Sequence, residues 1–390
     1  MPLPVWRYPF RDPVMHTLSA MTEVIFAATA HEQRRKLRLS PRHGFTFAFQ
    51  VEANTRSRFE LDVARHAGGE WELPLAVFGQ ALAAPLTAGA TVIPASTANR
   101  GFVAGGRALL IDYVADSFEL VEIDSFDADE ITLADPTAAT WSAGTRLMPV
   151  RRANMVEAPA MGLFTDDFAY GDVEFELAEP LDWGAYTWAT TYRGLPVLPI
   201  HADTYVDPTV TLARSLMPID VGTGPVTNVD LPAVPLTGMQ FAYTAFGWDE
   251  IVALYGLVNA LAGRLASVWV TASARDFVPV ASAAAASTTL DVRAFGLADG
   301  DLPATRRDIR IICADGTVTH RRITGVTVPG AGVERLQLDG AIGGDIAPGD
   351  GAVISWLWLA RQAADVNALG YWMDDVVETT FQFEGFNHDL

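Results

Sequence analysis

The sequence predicts a mainly β protein that is built from two tandem copies of one module. Short runs of alternating apolar and polar residues recur along the chain, and clusters of glycine, aspartate and proline separate them, as in half-buried strands joined by turns. Segments of the second half resemble segments of the first half in the same order. Half of the 390 residues are hydrophobic and 19% are charged, which is typical of a folded chain with two or three domains.

The first matching segments predict a strand that is followed by a helix. Residues 44–49 and 238–243 both alternate apolar and polar side chains, and each run follows a turn that contains proline. In the first copy Asn54 can cap the helix, and in the second copy Asp249 can cap a helix that ends at Gly263. Side-chain oxygens of Asn and Asp accept bonds from the first helical N–H groups, and glycine suits the left-handed backbone at a helix end.

The later segments keep the same order. A strand with a tryptophan follows each helix, at 71–75 and at 268–271. The offset between matching segments grows from about 194 residues near the start to about 208 near the end, as it would if a few loops had gained residues. Chance alternation can produce one such match, but a long ordered series of matches indicates a duplication.

Each copy is predicted to contain a main module and a small strand-rich insert, which suits a barrel or a sandwich. The connector between the copies is rich in proline, glycine and threonine and lacks a helical period. The predicted domains are a first main module (1–85 and 151–180), its insert (86–150), a connector or arm (181–227), a second main module (228–277 and 357–390) and its insert (278–356).

Composition and charge exclude several classes of function. The 27 basic and 47 acidic residues give a formal net charge of −20, which repels phosphate backbones, so we expect no sequence-specific nucleic-acid binding. Cys313 is the only cysteine, which rules out a disulfide within the chain and a cysteine-based zinc site. The longest apolar stretch, 251–270, is interrupted by polar residues that include Arg264, so we expect no membrane insertion.

The sequence offers no recognisable set of catalytic or metal-binding residues. No two of the seven histidines lie four positions apart, so the pair His31-Glu32 lacks the second histidine of a zinc-protease helix. The glycine-rich segments lack the P-loop lysine, and the acidic clusters lack the spacing of a calcium loop. We therefore predict that the protein is not an enzyme and has no catalytic, cofactor-binding or metal-binding residues.

A basic cluster near the start of the chain contrasts with the acidic background. One interpretation is a solvated strand edge that its charge protects from pairing. The other is contact with an acidic surface of a neighbouring subunit, where guanidinium–carboxylate pairs can fix the register. The candidate subunit-interface residues are Arg34, Arg35, Lys36, Arg38 and Arg42.

Several short segments resemble the tail-tip proteins of long-tailed phages. Near the start they are MTEVI at 21–25, EQRR at 32–35, LR at 37–38 and PR at 41–42. Further along they are WELP at 71–74, GR at 263–264 with the nearby Trp269, and WLWLARQAAD at 356–365. The segment at 263–264 with Trp269 resembles a stretch of distal tail proteins, including those of gene transfer agents. The resemblance extends over most of the chain.

The resemblance implies a non-enzymatic component of a siphovirus-type virion or a gene transfer agent. The implied fold is two tandem tail-tube-like β-sandwich modules, each with one helix and a small β-barrel-like insert. The implied assembly is a homo-oligomeric ring, a hexamer or a trimer, that joins the tail tube to the baseplate hub or receptor-binding apparatus. Its partners would be the tail tube, hub and tape measure proteins, and no cofactor is implied. It would be assembled in the host cytoplasm and reside at the tail tip, with DNA passing through an acidic lumen.

Two alternatives to a distal tail protein remain open. The duplication favours a trimeric baseplate hub protein, because three chains with two modules each can match a six-fold tube. A protein of another class, a carbohydrate- or receptor-binding β-protein, would use the two inserts as binding modules. The aromatic residues available for such binding are Phe102, Tyr113, Phe118, Phe126 and Trp141 in the first insert and Phe295 in the second.

Overall fold

The computed structural model describes residues 3–181, 183–203 and 205–388; the other six residues of the predicted domain ranges lie outside the described part. Strands contain 47% of the residues and helices 9%, so the predicted mainly β fold class is confirmed. Most strands belong to one large, predominantly antiparallel sheet system that extends through both halves of the chain.

The described residues of the first half form thirteen strands and one helix. They are β1 (Arg11–Ser19), β2 (Thr22–Phe26), β3 (Glu32–Lys36), β4 (Arg42–Glu52), α1 (Ala53–His66), β5 (Glu70–Pro74), β6 (Gln80–Ala81), β7 (Val92–Pro94), β8 (Arg107–Asp112), β9 (Ser117–Phe126), β10 (Glu130–Leu133), β11 (Arg146–Met155), β12 (Gly162–Leu163) and β13 (Phe168–Leu177). A 3₁₀ turn at Ala76–Phe78 follows β5.

In the second half and the connector, the part of the chain that the structure describes forms fourteen strands and one helix. They are β14 (Thr191–Tyr192), β15 (Leu195–Pro196), β16 (Thr209–Ala213), β17 (Leu216–Ile219), β18 (Thr227–Asp230), β19 (Leu236–Phe246), α2 (Trp248–Leu261), β20 (Val268–Thr271), β21 (Thr289–Arg293), β22 (Asp308–Ile312), β23 (Val318–Gly330), β24 (Val333–Leu338), β25 (Val353–Gln362), β26 (Val366–Met373) and β27 (Val376–Gly385). A 3₁₀ turn at Leu297–Asp299 follows β21.

The two halves use the same strand pairings. In the first half β4 pairs with β1 and β13, and β11 pairs with β5, β8 and β13. In the second half β19 pairs with β16 and β27, and β25 pairs with β20, β22 and β27. The inserts also agree in their strand pairings. Neighbouring strands pair in the order β7, β10, β9, β8 in the first insert and in the order β21, β24, β23, β22 in the second.

The register of the pairings also matches between the halves. Phe45 lies opposite Phe175, and Met239 lies opposite Phe383. Met239 follows Phe45 by 194 residues and Phe383 follows Phe175 by 208 residues, which are the two offsets seen in the sequence. The descent of the halves from one duplicated module stays a prediction.

Alternation along the strands builds the core. In β4 the side chains of Phe45, Phe47 and Phe49 point inward, while their neighbours are partly exposed, as the period of two in a strand requires. The main apolar core includes residues of both halves and of the second insert. The first insert has a separate core of its own, which is centred on Ile123, Ile131 and their neighbours.

The two helices differ in their ends and in their burial. The prediction that Asn54 and Asp249 cap them is wrong, because α1 begins at Ala53 and α2 begins at Trp248, so both residues lie inside the first turn. The predicted end at Gly263 is confirmed: α2 stops at Leu261 and Gly263 has a φ of +66°. Seven residues of α2 are buried but only one of α1, because α2 lies between the two halves.

Gly385 provides a test of how tightly the last strand packs. A Cβ atom at Gly385 would lie 2.7 Å from the carbonyl oxygen of Thr237 and 3.0 Å from its nitrogen, and backbone atoms cannot turn aside as a side chain can. We expect Gly385→Ala to lower the free energy of unfolding by about 1–3 kcal/mol in urea titrations. The control Gly330→Ala, whose added Cβ would have no atom within 4 Å apart from the adjoining residues, should change it by less than about 0.5 kcal/mol. Equal effects of the two variants would contradict this packing.

Candidate assembly interface

The two halves of the chain join edge to edge. Strand β1 pairs on one side with β4 and on the other side with β26 of the second half. The antiparallel register runs from Val14 opposite Tyr371 to Ser19 opposite Val366. Main-chain hydrogen bonds therefore continue from one half into the other.

A chain of buried polar side chains crosses this junction. The imidazole of His16 lies 3.0 Å from that of His43 and 2.5 Å from the hydroxyl of Tyr255, and the Tyr255 hydroxyl lies 2.7 Å from that of Tyr371. Trp183 of the connector stacks on the Tyr255 ring, with 3.9 Å between ring centroids. The histidines belong to the first half and the tyrosines to the second, so the hydrogen bond between His16 and Tyr255 forms only while the halves are docked.

Burial keeps both histidines neutral. Loss of solvent, with a smaller contribution from His43, lowers the pKa of His16 well below its usual value. The pKa of His43 falls to about 4, mainly through burial and also through the charge of Arg151. Charging either ring would require proton uptake in a site without a counter-charge, which is costly.

The hairpin formed by β2 and β3, which we call the first arm (20–38), lies against the second half. Glu32 and Arg361 form a two-bond ion pair at 2.8 and 2.9 Å, and their side chains are only 3% and 2% exposed. Arg34 donates to the carbonyl of Leu265 at 2.9 Å and to the hydroxyl of Ser267 at 2.6 Å. Buried charges that are paired in this way fix one docked position.

Hydrogen bonds at both ends of the first arm complete the contact. At its base, Asp365 accepts from the backbone N–H groups of Thr22 at 2.8 Å and Arg264 at 3.0 Å. At its tip, the amide side chain of Asn387 donates to the carbonyl of Thr29 at 2.9 Å. The arm is thus held along its whole length by residues of the second half.

The structure separates the five candidate interface residues into two groups. Arg34 and Arg38 are engaged within the chain, since Arg38 donates to the carbonyl of Ser19 at 2.6 Å. Arg35, Lys36 and Arg42 remain exposed, with Arg35 paired to Glu23 at 2.9 Å and Arg42 to Glu176 at 3.1 Å. Contact of the cluster with another subunit stays a prediction.

Sequence reasoning did not single out a second surface, most of which lies in the region predicted as connector or arm. The hairpin of β17 and β18, which we call the second arm (214–232), carries exposed apolar side chains, and so does β16 next to it. Among the described residues β16 pairs only with β19. The exposed apolar residues are Val210, Leu212, Leu216, Met217, Ile219, Val221, Val226 and Leu231. The alternation of Val210 and Leu212 with threonine in β16 was the available signal.

A third exposed apolar surface borders β12 in the first half. Among the described residues β12 pairs only with β13. Leu163 is 63% exposed and Phe164, next to it, is 77% exposed. Contiguous apolar patches of this kind commonly mark protein–protein contacts.

The described residues hold no group of three or more His, Cys, Asp or Glu side chains placed to bind a metal ion. Within the same residues no helix has the length and apolar character needed to span a membrane. The chain matches no protein-family model, and no curated protein matches it.

The buried histidines predict a pH dependence of stability. The unfolded chain titrates His43 near pH 6.5 but the folded chain only near pH 4, so between these values the unfolded chain binds more protons. The free energy of unfolding should therefore fall on acidification through this window, by about 3 kcal/mol for His43 alone. Urea titrations from pH 7 to pH 4 should show a shallower fall for His43→Gln. The control His66→Gln, outside the junction, should keep the wild-type slope, and equal slopes for all three proteins would contradict the assignment.

The first arm contains one buried and one exposed ion pair, whose contributions to stability can be compared. Glu32→Ala leaves Arg361 buried without its main partner, and we expect a loss of about 3 kcal/mol in the free energy of unfolding. Arg35→Ala breaks the exposed pair with Glu23 in the same hairpin, and should cost less than about 1 kcal/mol. Chemical denaturation and proteolysis of the arm both report the difference. An arm that is equally protected in the two variants would show that the buried pair does not hold it.

Proposed function

We propose that the chain is a structural component of the tail tip of a long-tailed phage. In this proposal it forms a ring that joins the tail tube to the baseplate hub or receptor-binding apparatus. The observation that carries the proposal is the edge-to-edge junction between β1 of the first half and β26 of the second half. The strands at the corresponding positions, β16 in the second half and β12 in the first half, each have an exposed edge. A unit with one free edge of each kind can repeat head to tail, and such contacts close into rings.

The number of modules supports a ring of three chains, as in a trimeric hub. Each chain contributes two halves with the same strand pairings, so three chains present six similar units, the number that a six-fold tube offers for docking. A hexameric ring, as in a distal tail protein, would present twelve. We therefore favour the trimer.

The charge of the protein agrees with a place on the path of DNA. At a net charge of −20 the surface repels phosphate groups, so DNA could slide through a central opening without binding. The tail tube, hub and tape measure proteins are the proposed neighbours.

A second candidate function is binding of a carbohydrate receptor, and one cleft favours it. The cleft has a volume of about 600 Å³ and lies between α1 and the first insert. Tyr113 and Phe118 line it with partly exposed rings, and the guanidinium of Arg7 lies 5.3 Å from the Phe118 ring centroid. The apolar face of an aromatic ring can stack on a sugar, and a nearby polar or charged group can fix the orientation of the sugar.

Electron microscopy of the purified full chain separates the two functions. We expect negative-stain images to show rings with a central opening and three-fold symmetry, and sedimentation to give the mass of three chains. Six-fold rings of six chains would support the distal tail alternative. A monomer that binds glycans would overturn the ring proposal and favour the receptor-binding function.

A further inference from the structure

We infer that β16 and the second arm of one chain dock on the first half of another copy of this chain, along β12. This contact between chains would have the same geometry as the contact that β1 and the first arm make with the second half of their own chain. The inference rests on the proposed ring and names the contact that would build it.

The second arm corresponds to the first arm residue by residue. Thr22 lies opposite Lys36 in the first arm, and Leu216 lies opposite Asp230 in the second. Leu216 follows Thr22 by 194 residues, and Asp230 follows Lys36 by the same number. The same offset relates the strands beside the arms, since Ser19 pairs with Arg42 and Ala213 with Leu236.

The side chains of β16 are exposed where those of β1 are buried. With the offset of 194 residues, Val210 corresponds to His16 and Leu212 to Leu18. Leu18 is 1% exposed at the junction of the halves, whereas Leu212 is 65% exposed. An apolar side chain at such a position gains free energy when a partner covers it.

The surface beside β12 corresponds to the one that receives β1. Gly162 pairs with Tyr170, and Gly370 pairs with Glu378, 208 residues later at both positions. Leu163 therefore corresponds to Tyr371, which is buried against Tyr255 at the junction.

The chemistry of the two proposed partners changes together. Glu32 of the first arm corresponds to Val226 of the second arm, 194 residues later. Its partner Arg361 lies in β25 and corresponds to Asn154 in β11, 207 residues earlier, because Ala360 pairs with Gly385 as Ala153 pairs with Leu177. A buried ion pair within the chain is thus matched by two uncharged side chains between chains. This joint loss of charge favours a second copy of the chain as the occupant over an unrelated acidic or basic partner.

The register of the contact follows from the junction already present. Thr17 lies opposite Ala368, so the corresponding residues place Thr211 of one chain opposite Ala160 of the other. Both residues are exposed in the single chain. Each chain gives one edge and receives one edge, so the contact is of the head-to-tail kind that closes into a ring.

Engineered cysteines test this register. Cys313, the only natural cysteine, is buried, so the full chain can carry Thr211→Cys together with Ala160→Cys. Under mild oxidation we expect disulfide-linked dimers and trimers on denaturing gels that lack reductant. The control, Thr211→Cys with Val114→Cys, places the second thiol at a residue that is 99% exposed in the first insert, and should give no specific ladder.

A second variant tests the apolar contact without cysteines. Leu212→Asp should weaken self-association by more than about tenfold in sedimentation, because burial of a charge without a partner opposes docking. Val114→Asp, at another exposed apolar side chain, should assemble as the wild type does. Circular dichroism and thermal unfolding should show both variants folded.

The outcomes distinguish this contact from the ring itself. Rings that form equally well with Leu212→Asp, and give no ladder with the paired cysteines, would overturn this contact and leave the ring proposal standing. A wild-type chain that stays monomeric at the highest attainable concentration would overturn both. A different protein that protects β16 while the chain stays monomeric would also overturn the inference, since the occupant would not be a second copy.

Discussion

The pairing of β1 with β26 is the interaction on which the rest of the structure depends. A strand at the edge of a sheet presents unsatisfied N–H and C=O groups, which must be paired, covered or protected by charge. In this chain the edge of the first half is satisfied by the second half. The docked position of the first arm, the burial of α2 and the polar chain from His43 to Tyr371 all require that the halves stay in this register.

The two helices show how the junction shapes the sequence. Both helices have fourteen residues and follow corresponding strands. Helix α2 packs between the halves and presents apolar residues on most of its surface, whereas α1 lies outside and carries Arg56, Arg58 and Glu60. A helix that is buried on several sides needs apolar residues all round, and a surface helix needs only one stripe. The same structural position thus carries different residues because its surroundings differ.

Much of the fold could be predicted from the sequence because its signals are local. The inward phenylalanines of β4 and the helix end at Gly263 follow from alternation and from the backbone freedom of glycine. The partners of the edges could not be predicted, because alternation shows which face is buried but not which strand lies alongside. The inward position of Arg34 could not be predicted either, since its contacts with Leu265 and Ser267 lie more than 200 residues away in the chain. The prediction of the helix caps failed because backbone groups outside the helix, such as the Asp167 carbonyl in the turn before β13 that accepts from Ala53, fix the start instead.

The contrast between the charged first arm and the apolar second arm fits the two kinds of contact proposed for them. Within one chain the partners are already held together, so the contact need not supply the free energy of association, and a buried ion pair such as Glu32–Arg361 can serve mainly to fix position. Between chains the contact must first offset the loss of translational and rotational freedom. Apolar surface is the more effective source of that free energy, because it carries no desolvation cost. An exposed row of valine, leucine and isoleucine beside an unpaired strand would otherwise promote aggregation, so closure of a ring both uses this surface and removes it from solvent.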